Sequence, residues 1–255
     1  MSLKGLTRRR LLQGVGGTVG LLAIAGCDNL SGSEWFRNLL GHTEALTERI
    51  QRLLTPRNAL AQEYAESEIS AVFPANGNSD PGTQEYVDMV QHHFVDWRVT
   101  VGGLVVKPTR FSLADLRAMP SRTQITRHDC VEGWSAIGKW TGVPLGDLMH
   151  QVQPSSDARY AVFHCADIDE QGIAYYESMA VEDLYHPQTI LAYDLNGKPL
   201  DVPHGAPIRL RFERQLGYKH AKYVMGIELV GSLAGIGGGR GGYWEDQGYE
   251  WYAGI

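Results

Sequence analysis

The sequence has few cysteines and no extended block of like charge after its first residues. It contains three cysteines in 255 residues, Cys27, Cys130 and Cys165, which is too few for the disulfide framework of a small secreted domain. The formal net charge is −6 and the only basic block is Arg8–Arg10, which excludes the electrostatic footprint of a nucleic-acid-binding protein. With 43% apolar and 20% charged residues, the chain has globular composition and can bury a sizeable core.

The first 27 residues have the features of an export signal. Basic residues precede a Gly-rich apolar stretch, Leu11–Gly26, which ends at Cys27 and is shorter than the about 20 apolar residues of a membrane-spanning helix. "TRRRLL" resembles the twin-arginine export motif, and "IAGC" resembles the box before the lipidated cysteine of a bacterial lipoprotein. Residues 1–27 therefore predict export to the periplasm and a lipid tether at Cys27. The alternative is an N-terminal membrane helix with fortuitous arginines.

The remaining chain divides into a leading segment and a main domain. Residues 28–80 predict an amphipathic helix, within 34–54, and then a Pro-, Asn- and Gly-rich linker that wraps the domain. Within residues 81–255, strand-like and helical segments interleave irregularly, which favours a strand-rich α+β fold with peripheral helices over a doubly wound sheet. The predicted strands are "WRVTVGGLV", "RTQITRHDC", "YAVFHCAD", "IRLRFER" and "YVMGIELVG", and the predicted helix "SLADLRAMP" begins at the capping residue Ser112.

Cys130 lies in unusually polar surroundings, in the stretch "RHDCVEGWSAIGKW". One alternative is a disulfide with Cys165, and another is a small buried thiol. A third is a nucleophile activated by His128, because neighbouring positive charge favours the thiolate. The fourth is a metal ligand; no second Cys or His stands at zinc-site spacing, so the other ligands would come from a non-protein group.

The stretch "RHDCVEGWSAIGKWTGVPL" resembles the molybdenum-binding segment of the sulfite oxidase family, which includes sulfite oxidases and the catalytic subunit of periplasmic methionine sulfoxide reductase. The resemblance covers roughly residues 68–252 and implies the molybdopterin-binding fold of that family. It implies that the thiolate of Cys130 ligates molybdenum and that a single molybdopterin supplies two further sulfur ligands. Soft sulfur donors of this kind suit such a metal.

Further family segments nominate residues that contact the pterin. The segments "VQHHFVDWR", "TILAYDLNGKPLDVPHGAPIRLR" and "RQLGYKHAKYV" resemble family segments with cofactor contacts. Arg, Lys and backbone N–H groups suit a phosphate monoester. The residues that the resemblance implies as cofactor-binding are His92, Val95, Asp96, Cys165, His204, Arg209, His220, Ala221 and Lys222.

Two positions bear on the reaction. Tyr249, five residues after Trp244, matches the family tyrosine beside the oxo group, so the resemblance implies that it acts with Cys130 in catalysis. Gln91 stands where sulfite oxidases carry an arginine that helps to bind sulfite, and the loss of a permanently charged bidentate contact weakens sulfite as the substrate.

Together these features predict a molybdopterin-dependent oxidoreductase. The resemblance implies transfer of an oxygen atom to or from a small sulfite- or sulfoxide-like substrate, on the periplasmic side of the inner membrane. No Cys-x-x-Cys-His haem motif occurs, so we expect electrons to pass to or from a separate protein, such as a cytochrome. The alternatives are a metal-free thiol enzyme that uses Cys130 and His128, and a binding protein that retains the fold without turnover.

Overall fold

Residues 49–53 and 55–255 are the part of the chain that the computed structural model describes. The predicted export signal and most of the predicted amphipathic helix lie outside these residues; residues 49–53 are helical. Arg52–Ile255 form one compact unit, which includes the linker predicted to wrap the domain. No helix in the described ranges has the length and apolar character needed to cross a membrane.

The compact unit contains ten strands and four α-helices among the described residues, joined by turns and short 3₁₀ helices. The helices are α1 (Gln84–Gln91), α2 (Leu113–Ala118), α3 (Leu145–Val152) and α4 (Tyr243–Asp246). The strands are β1 (Arg98–Gly103), β2 (Thr109–Ser112), β3 (Arg122–Asp129), β4 (Ser135–Pro144), β5 (Tyr160–Ile168), β6 (Ala174–Ala180), β7 (Thr189–Leu195), β8 (Lys198–Pro199), β9 (Arg209–Phe212) and β10 (Val224–Val230).

The strands form two five-stranded sheets, one mixed and one antiparallel. One has the order β2-β1-β10-β5-β6, in which β1 and β10 are parallel and the other pairs are antiparallel. The other has the order β3-β4-β7-β8, with β9 also pairing with β7, and all its pairs are antiparallel. Each predicted strand coincides with an observed one, and Ser112 caps α2 by accepting from the Asp115 amide at 3.0 Å. The predicted strand-rich α+β class is confirmed.

The main core lies between the apolar faces of the two sheets. Alternation buries Val99 and Val101 on one face of β1, and both share a buried cluster with Leu191 of β7 and Leu210 of β9. Complete burial of an aliphatic side chain of this size contributes about 1.5–3 kcal/mol relative to exposure. The core therefore fixes the two sheets and the segments that leave their ends.

The leading segment packs along the second sheet. The Tyr64 amide donates to the Ile125 carbonyl at 2.9 Å and the Ser70 amide to the Ile137 carbonyl at 3.0 Å. Phe73 is buried and meets Trp140 edge to face, with ring centroids 5.1 Å apart. These contacts deliver residues 76–78 to the site described next.

Candidate active site

A cleft of about 490 Å³ opens where several chain segments leave the two sheets. It is lined by Asn76, Gly77, Asn78, Cys130, Val131, Glu132, Asp167, Ile168, Asp169, Glu170, Ile173, Tyr175, Tyr218, His220, Lys222, Tyr243, Trp244 and Tyr249. Four of the residues predicted from the sequence are among them: Cys130, His220, Lys222 and Tyr249. The fold thus brings together side chains from positions as far apart as Cys130 and Tyr249, although their roles in binding or catalysis stay predictions.

Cys130 follows β3 in a tight turn that faces the cleft. Its amide donates to the Trp134 carbonyl at 2.9 Å, and its carbonyl accepts from the Gly133 amide at 3.1 Å; Gly133 has the positive φ of +89° that closes such a turn. Burial raises the pKa of the Cys130 thiol, a hydrogen bond with the Glu132 backbone lowers it, the Glu132 carboxylate raises it, and the charge of Arg209 lowers it; the net change is upward. The thiol is half-buried and free, so no disulfide joins it to Cys165.

His128 is turned away from the role of a base for Cys130. Its Nδ1 accepts from Arg211 Nη1 at 2.9 Å, and its ring stacks on Trp134 with centroids 5.4 Å apart. Its Nε2 faces Gly217, where an added Cβ would lie 2.5 Å away. Burial and Arg211 hold the pKa of this imidazole well below its ordinary value. His128 therefore packs against the turn that carries Cys130. Nothing in its geometry favours the metal-free thiol enzyme.

Two cations near the cleft have no carboxylate partner among the described residues: Lys222 lines the cleft, and Arg209 lies behind it and donates to the lining residue Asn76. Arg209 is completely buried, and within the described ranges its guanidinium donates only to oxygens of uncharged groups: the His204 carbonyl at 3.2 Å, Asn76 Oδ1 at 3.2 Å and the His220 carbonyl at 3.4 Å. Lys222 Nζ donates to the carbonyls of Asn78 and Pro203. Burial and the charge of Arg211 lower the pKa of Arg209 to about 9, and burial and the charge of Arg209 lower the pKa of Lys222 to about 7. Such a pair is built to receive an anion.

The wall beside these cations comes from residues that the sequence did not single out. Asn76 and Asn78 belong to the stretch "FPANGNSDPG", whose turn composition signals a loop and nothing more. The Gly77 amide donates to Glu132 Oε1 at 2.8 Å, which joins this loop to the Cys130 turn. Asp167 lies at the end of β5 with Oδ1 buried and without a hydrogen-bond partner among the described residues. Burial raises its pKa to about 6.

The remaining predicted residues occupy different positions relative to the cleft. His220 lines it, with Nε2 bonded to the Gln215 carbonyl at 3.1 Å and Nδ1 buried and unpaired among the described residues. Ala221 is buried in the main core. The His204 ring contacts Asp201 Oδ1 at 2.5 Å and the Phe73 carbonyl at 2.9 Å. Its link to the site is its carbonyl, which accepts from Arg209. Cys165 is buried in the main core, with Sγ 3.9 Å from the Phe163 carbonyl oxygen.

Gln91, His92, Val95 and Asp96 are not brought to the cleft. They lie at the end of α1 and in the turn after it, all are exposed, and Val95 is 69% exposed. The cofactor contacts predicted for His92, Val95 and Asp96 therefore have no support from the geometry and stay predictions. Gln91 is also absent from the lining of the cleft, so the inference about sulfite gains no support from the structure and stays a prediction.

The opposite wall consists of five aromatic side chains, Tyr175, Tyr218, Tyr243, Trp244 and Tyr249, here called the aromatic wall. Tyr175 stacks on Tyr243, Tyr243 meets Trp244 edge to face, and Trp244 stacks on Tyr249, with centroids 5.2–5.5 Å apart. Tyr249 meets Tyr218 at 5.2 Å, and the Tyr175 hydroxyl donates to the Tyr218 carbonyl at 2.6 Å. These contacts form a closed ring that includes Tyr249, whose role in catalysis stays a prediction.

The residues present fit a sulfur-ligated metal on a phosphorylated pterin. No group of three or more His, Cys, Asp or Glu side chains in the described ranges could hold a metal ion, so Cys130 would need donors from a non-protein group. Arg209 and Lys222 suit a phosphate monoester. The unpaired Asp167 Oδ1 and the Asn76–Asn78 loop suit the N–H groups of a pterin ring. Buried polar atoms without protein partners are expected where a polar ligand completes the structure.

The chain resembles known proteins over most of its length. The family described as "Oxidoreductase molybdopterin binding domain" matches residues 86–233. The chain is 37% identical over 247 residues to the putative protein-methionine-sulfoxide reductase subunit YedZ1 of Azospira oryzae, covering 97% of this chain and 87% of that protein. It is 38% identical over 144 residues to the protein-methionine-sulfoxide reductase catalytic subunit MsrP of Xanthomonas axonopodis pv. citri, covering 52% of this chain and 45% of that relative. The sulfane dehydrogenase SoxCD of Paracoccus pantotrophus aligns with a TM-score of 0.48 and 23% identity, covering 54% of this chain and 39% of that chain.

Proposed function

The chain belongs to the family of oxidoreductase molybdopterin-binding domains, and from this premise we propose that it is the catalytic subunit of a reductase for methionine sulfoxide. Membership confirms the predicted molybdopterin-dependent oxidoreductase. The relatives named as protein-methionine-sulfoxide reductase subunits support the choice of substrate. The overall reaction consumes two electrons and two protons and converts a sulfoxide to a sulfide and water.

The charge of the cleft carries this choice of substrate. Its lining includes four carboxylic acids, Glu132, Asp167, Asp169 and Glu170, while Lys222 and His220 are the only basic residues among the described lining residues. Burial and neighbouring cations hold the pKa of His220 well below its ordinary value, and Lys222 lies at the end that suits phosphate. An anion such as sulfite would therefore meet carboxylates rather than a guanidinium. These carboxylates do not repel a neutral sulfoxide.

Each wall of the cleft then has a defined task. Cys130 would hold the metal, Arg209 and Lys222 the phosphate, and Asp167 the pterin N–H groups. When bound, the molybdopterin supplies the two-electron redox chemistry that removes the sulfoxide oxygen. The aromatic wall contacts the methyl group and sulfur of the substrate, since sulfur packs favourably against aromatic rings, and the Tyr249 hydroxyl orients the sulfoxide oxygen.

The same proposal includes the cellular setting. The twin-arginine-like and lipoprotein-like motifs in residues 1–27 support export and a tether through Cys27 on the periplasmic side of the inner membrane. Both curated relatives are named as subunits, which supports electron supply by a separate membrane redox protein such as a cytochrome. In a cell fractionation, Cys27→Ser should move the protein from the membrane to the soluble periplasmic fraction.

Metal analysis and a substrate comparison test the proposal. Protein exported from a molybdate-fed host should contain close to one molybdenum per chain, and Cys130→Ala should lose most of it. With a reduced dye as electron donor, methionine sulfoxide should be consumed; with an oxidised dye, sulfite should react far more slowly. Faster sulfite oxidation, or full molybdenum retention in Cys130→Ala, would contradict it. A protein that binds the cofactor but turns over neither substrate would identify the non-catalytic alternative.

A further inference from the structure

Three separate chain segments carry the aromatic wall. Tyr175 comes from β6, Tyr218 from the 3₁₀ helix after β9, and the other three rings from α4 and the residues that follow it. Stacking and edge-to-face contacts between rings contribute only about 0.5–1.5 kcal/mol each beyond their area burial. Something further is needed to hold the three segments in register.

Each of these segments also contributes one member of a buried ionic cluster. Glu177 lies two residues after Tyr175 on the same strand, Lys219 follows Tyr218, and Glu245 follows Trp244. Lys219 Nζ donates to Glu177 Oε1 and, at 2.5 Å, to Glu245 Oε1. All three side chains are 1% exposed. We call Lys219, Glu177 and Glu245 the ionic cluster.

The cluster leaves little freedom to the tail that carries Trp244 and Tyr249. A Cβ at Gly242 would collide with the Glu245 carboxylate and approach Glu177 Oε1 to 2.9 Å, so the chain enters α4 directly against the cluster. Trp251 Nε1 donates to Ser178 Oγ at 2.8 Å, and Ser178 Oγ donates to the Gly241 carbonyl. The tail is thus fixed to β6 on both sides of α4.

The composition of the cluster is costly for stability alone. Two carboxyl groups share one ammonium group, and the Oε2 atoms of Glu177 and Glu245 are buried without hydrogen-bond partners among the described residues. Burial and the second carboxylate raise the pKa of Glu177 well above its ordinary value. Apolar residues of similar volume often replace buried ion pairs without loss of stability. Their best-supported use is to specify one arrangement of chain segments.

We propose that the ionic cluster of Lys219, Glu177 and Glu245 positions the aromatic wall and so sets how tightly the substrate is held. Its members do not line the cleft and act only through their neighbours in the chain. They are positioning residues, whose loss changes the affinity for the sulfoxide more than the chemical step. The statement about substrate rests on the proposed function; the statement about the wall does not.

The test uses the cofactor-loaded protein and two variants, Lys219→Met and the triple variant Lys219→Met with Glu177→Gln and Glu245→Gln. The triple variant buries no net charge and should fold even if the single variant does not. In both, amide hydrogen exchange over residues 241–253 should be at least about tenfold faster than in the wild type. KM for a methionine-sulfoxide peptide should rise about tenfold with a smaller change in kcat. Molybdenum per chain should stay unchanged.

Arg117→Met is the matched control, because it also replaces a cation by methionine in an ion pair, with Asp194 at 2.6 Å, away from these segments. Exchange over residues 241–253 and KM should match the wild type in this variant. A triple variant that folds with wild-type tail exchange and wild-type KM would overturn the proposal. If the wild type fails to reduce the sulfoxide, the proposed function fails, and the exchange measurement still decides the role of the cluster.

Discussion

Lys219 and Lys222 lie three residues apart on one segment, and both are largely buried, yet their surroundings are opposite. Lys219 contacts two carboxylates, which raise its pKa against the effect of burial. Lys222 forms no ion pair among the described residues, and burial together with Arg209 lowers its pKa to about 7. We infer from this difference that Lys219 stabilises the arrangement of chain segments and that Lys222 binds a ligand.

The contrast follows from the cost of burying charge. An ammonium group taken out of water must be paired, lose its proton or meet an external anion. Pairing within the protein holds chain segments together. Where an external anion is required instead, the free-energy cost of the buried charge remains until that anion binds. Arg209, also without a carboxylate partner, belongs with Lys222. Charge balance thus divides the residues around the cleft into structural and binding groups.

The largest effect on stability is expected from breaking the ion pairs of Lys219. Lys219→Met leaves two buried carboxyl groups without their cation, which should destabilise the protein by about 3–5 kcal/mol. Urea unfolding of the cofactor-free protein at neutral pH measures this change. A loss below about 1 kcal/mol would mean that the cluster behaves like a surface ion pair.

Lys222→Met should have the opposite effects: no loss of stability, but a loss of cofactor binding. Removal of an unpaired buried cation should raise the stability of the cofactor-free protein at neutral pH, because burial disfavours the charged amine. The loss of a charge-assisted contact worth about 1.5–3 kcal/mol should reduce cofactor content at least about tenfold under limiting cofactor. Molybdenum and pterin per chain are the measurements, and Lys222→Arg is the control that retains the charge. Equal cofactor content in Lys222→Met and the wild type would remove Lys222 from the binding group.

The sequence predicted the fold better than the site. The strands were recognisable because alternating residues such as Val99 and Val101 face a core, a local property of the chain. Cys130, His220, Lys222 and Tyr249 were found through motifs that resemble the family. Asn76 and Asp167 were missed because their significance depends on long-range folding, which places an ordinary loop and a strand end beside Lys222. The exposed turn that carries His92, Val95 and Asp96 lies outside the lining of the cleft, so the cofactor contacts inferred for these residues from similarity of position stay predictions.

The unpaired state of Lys222 should also appear as a pH dependence. Its pKa falls from an ordinary value of 10.5 to about 7 on folding, so between these pH values the unfolded chain binds the proton and the folded chain does not. The stability of the cofactor-free protein should therefore rise with pH across this window. Lys222→Met should lose that part of the rise. Thermal unfolding of both proteins at several pH values from 7 to 10 compares the slopes, and equal slopes would show that Lys222 is not perturbed.

The smallest expected effect concerns Asp167, a cleft acid whose charge acts on Lys222 without a hydrogen bond to it among the described residues. Its pKa rises from 3.8 to about 6 on folding, so its stabilising contribution is present below pH 3.8 and is lost as the pH rises through about 6. Asp167→Asn cannot ionise and should remove this loss, leaving the cofactor-free protein at pH 7 more stable than the wild type by up to about 3 kcal/mol. Urea unfolding of both proteins at pH 4 and pH 7 checks the sign. A variant that is less stable at pH 7 would show that Asp167 pairs with Lys222 as an ion, and the contrast between the two lysines would then be one of degree.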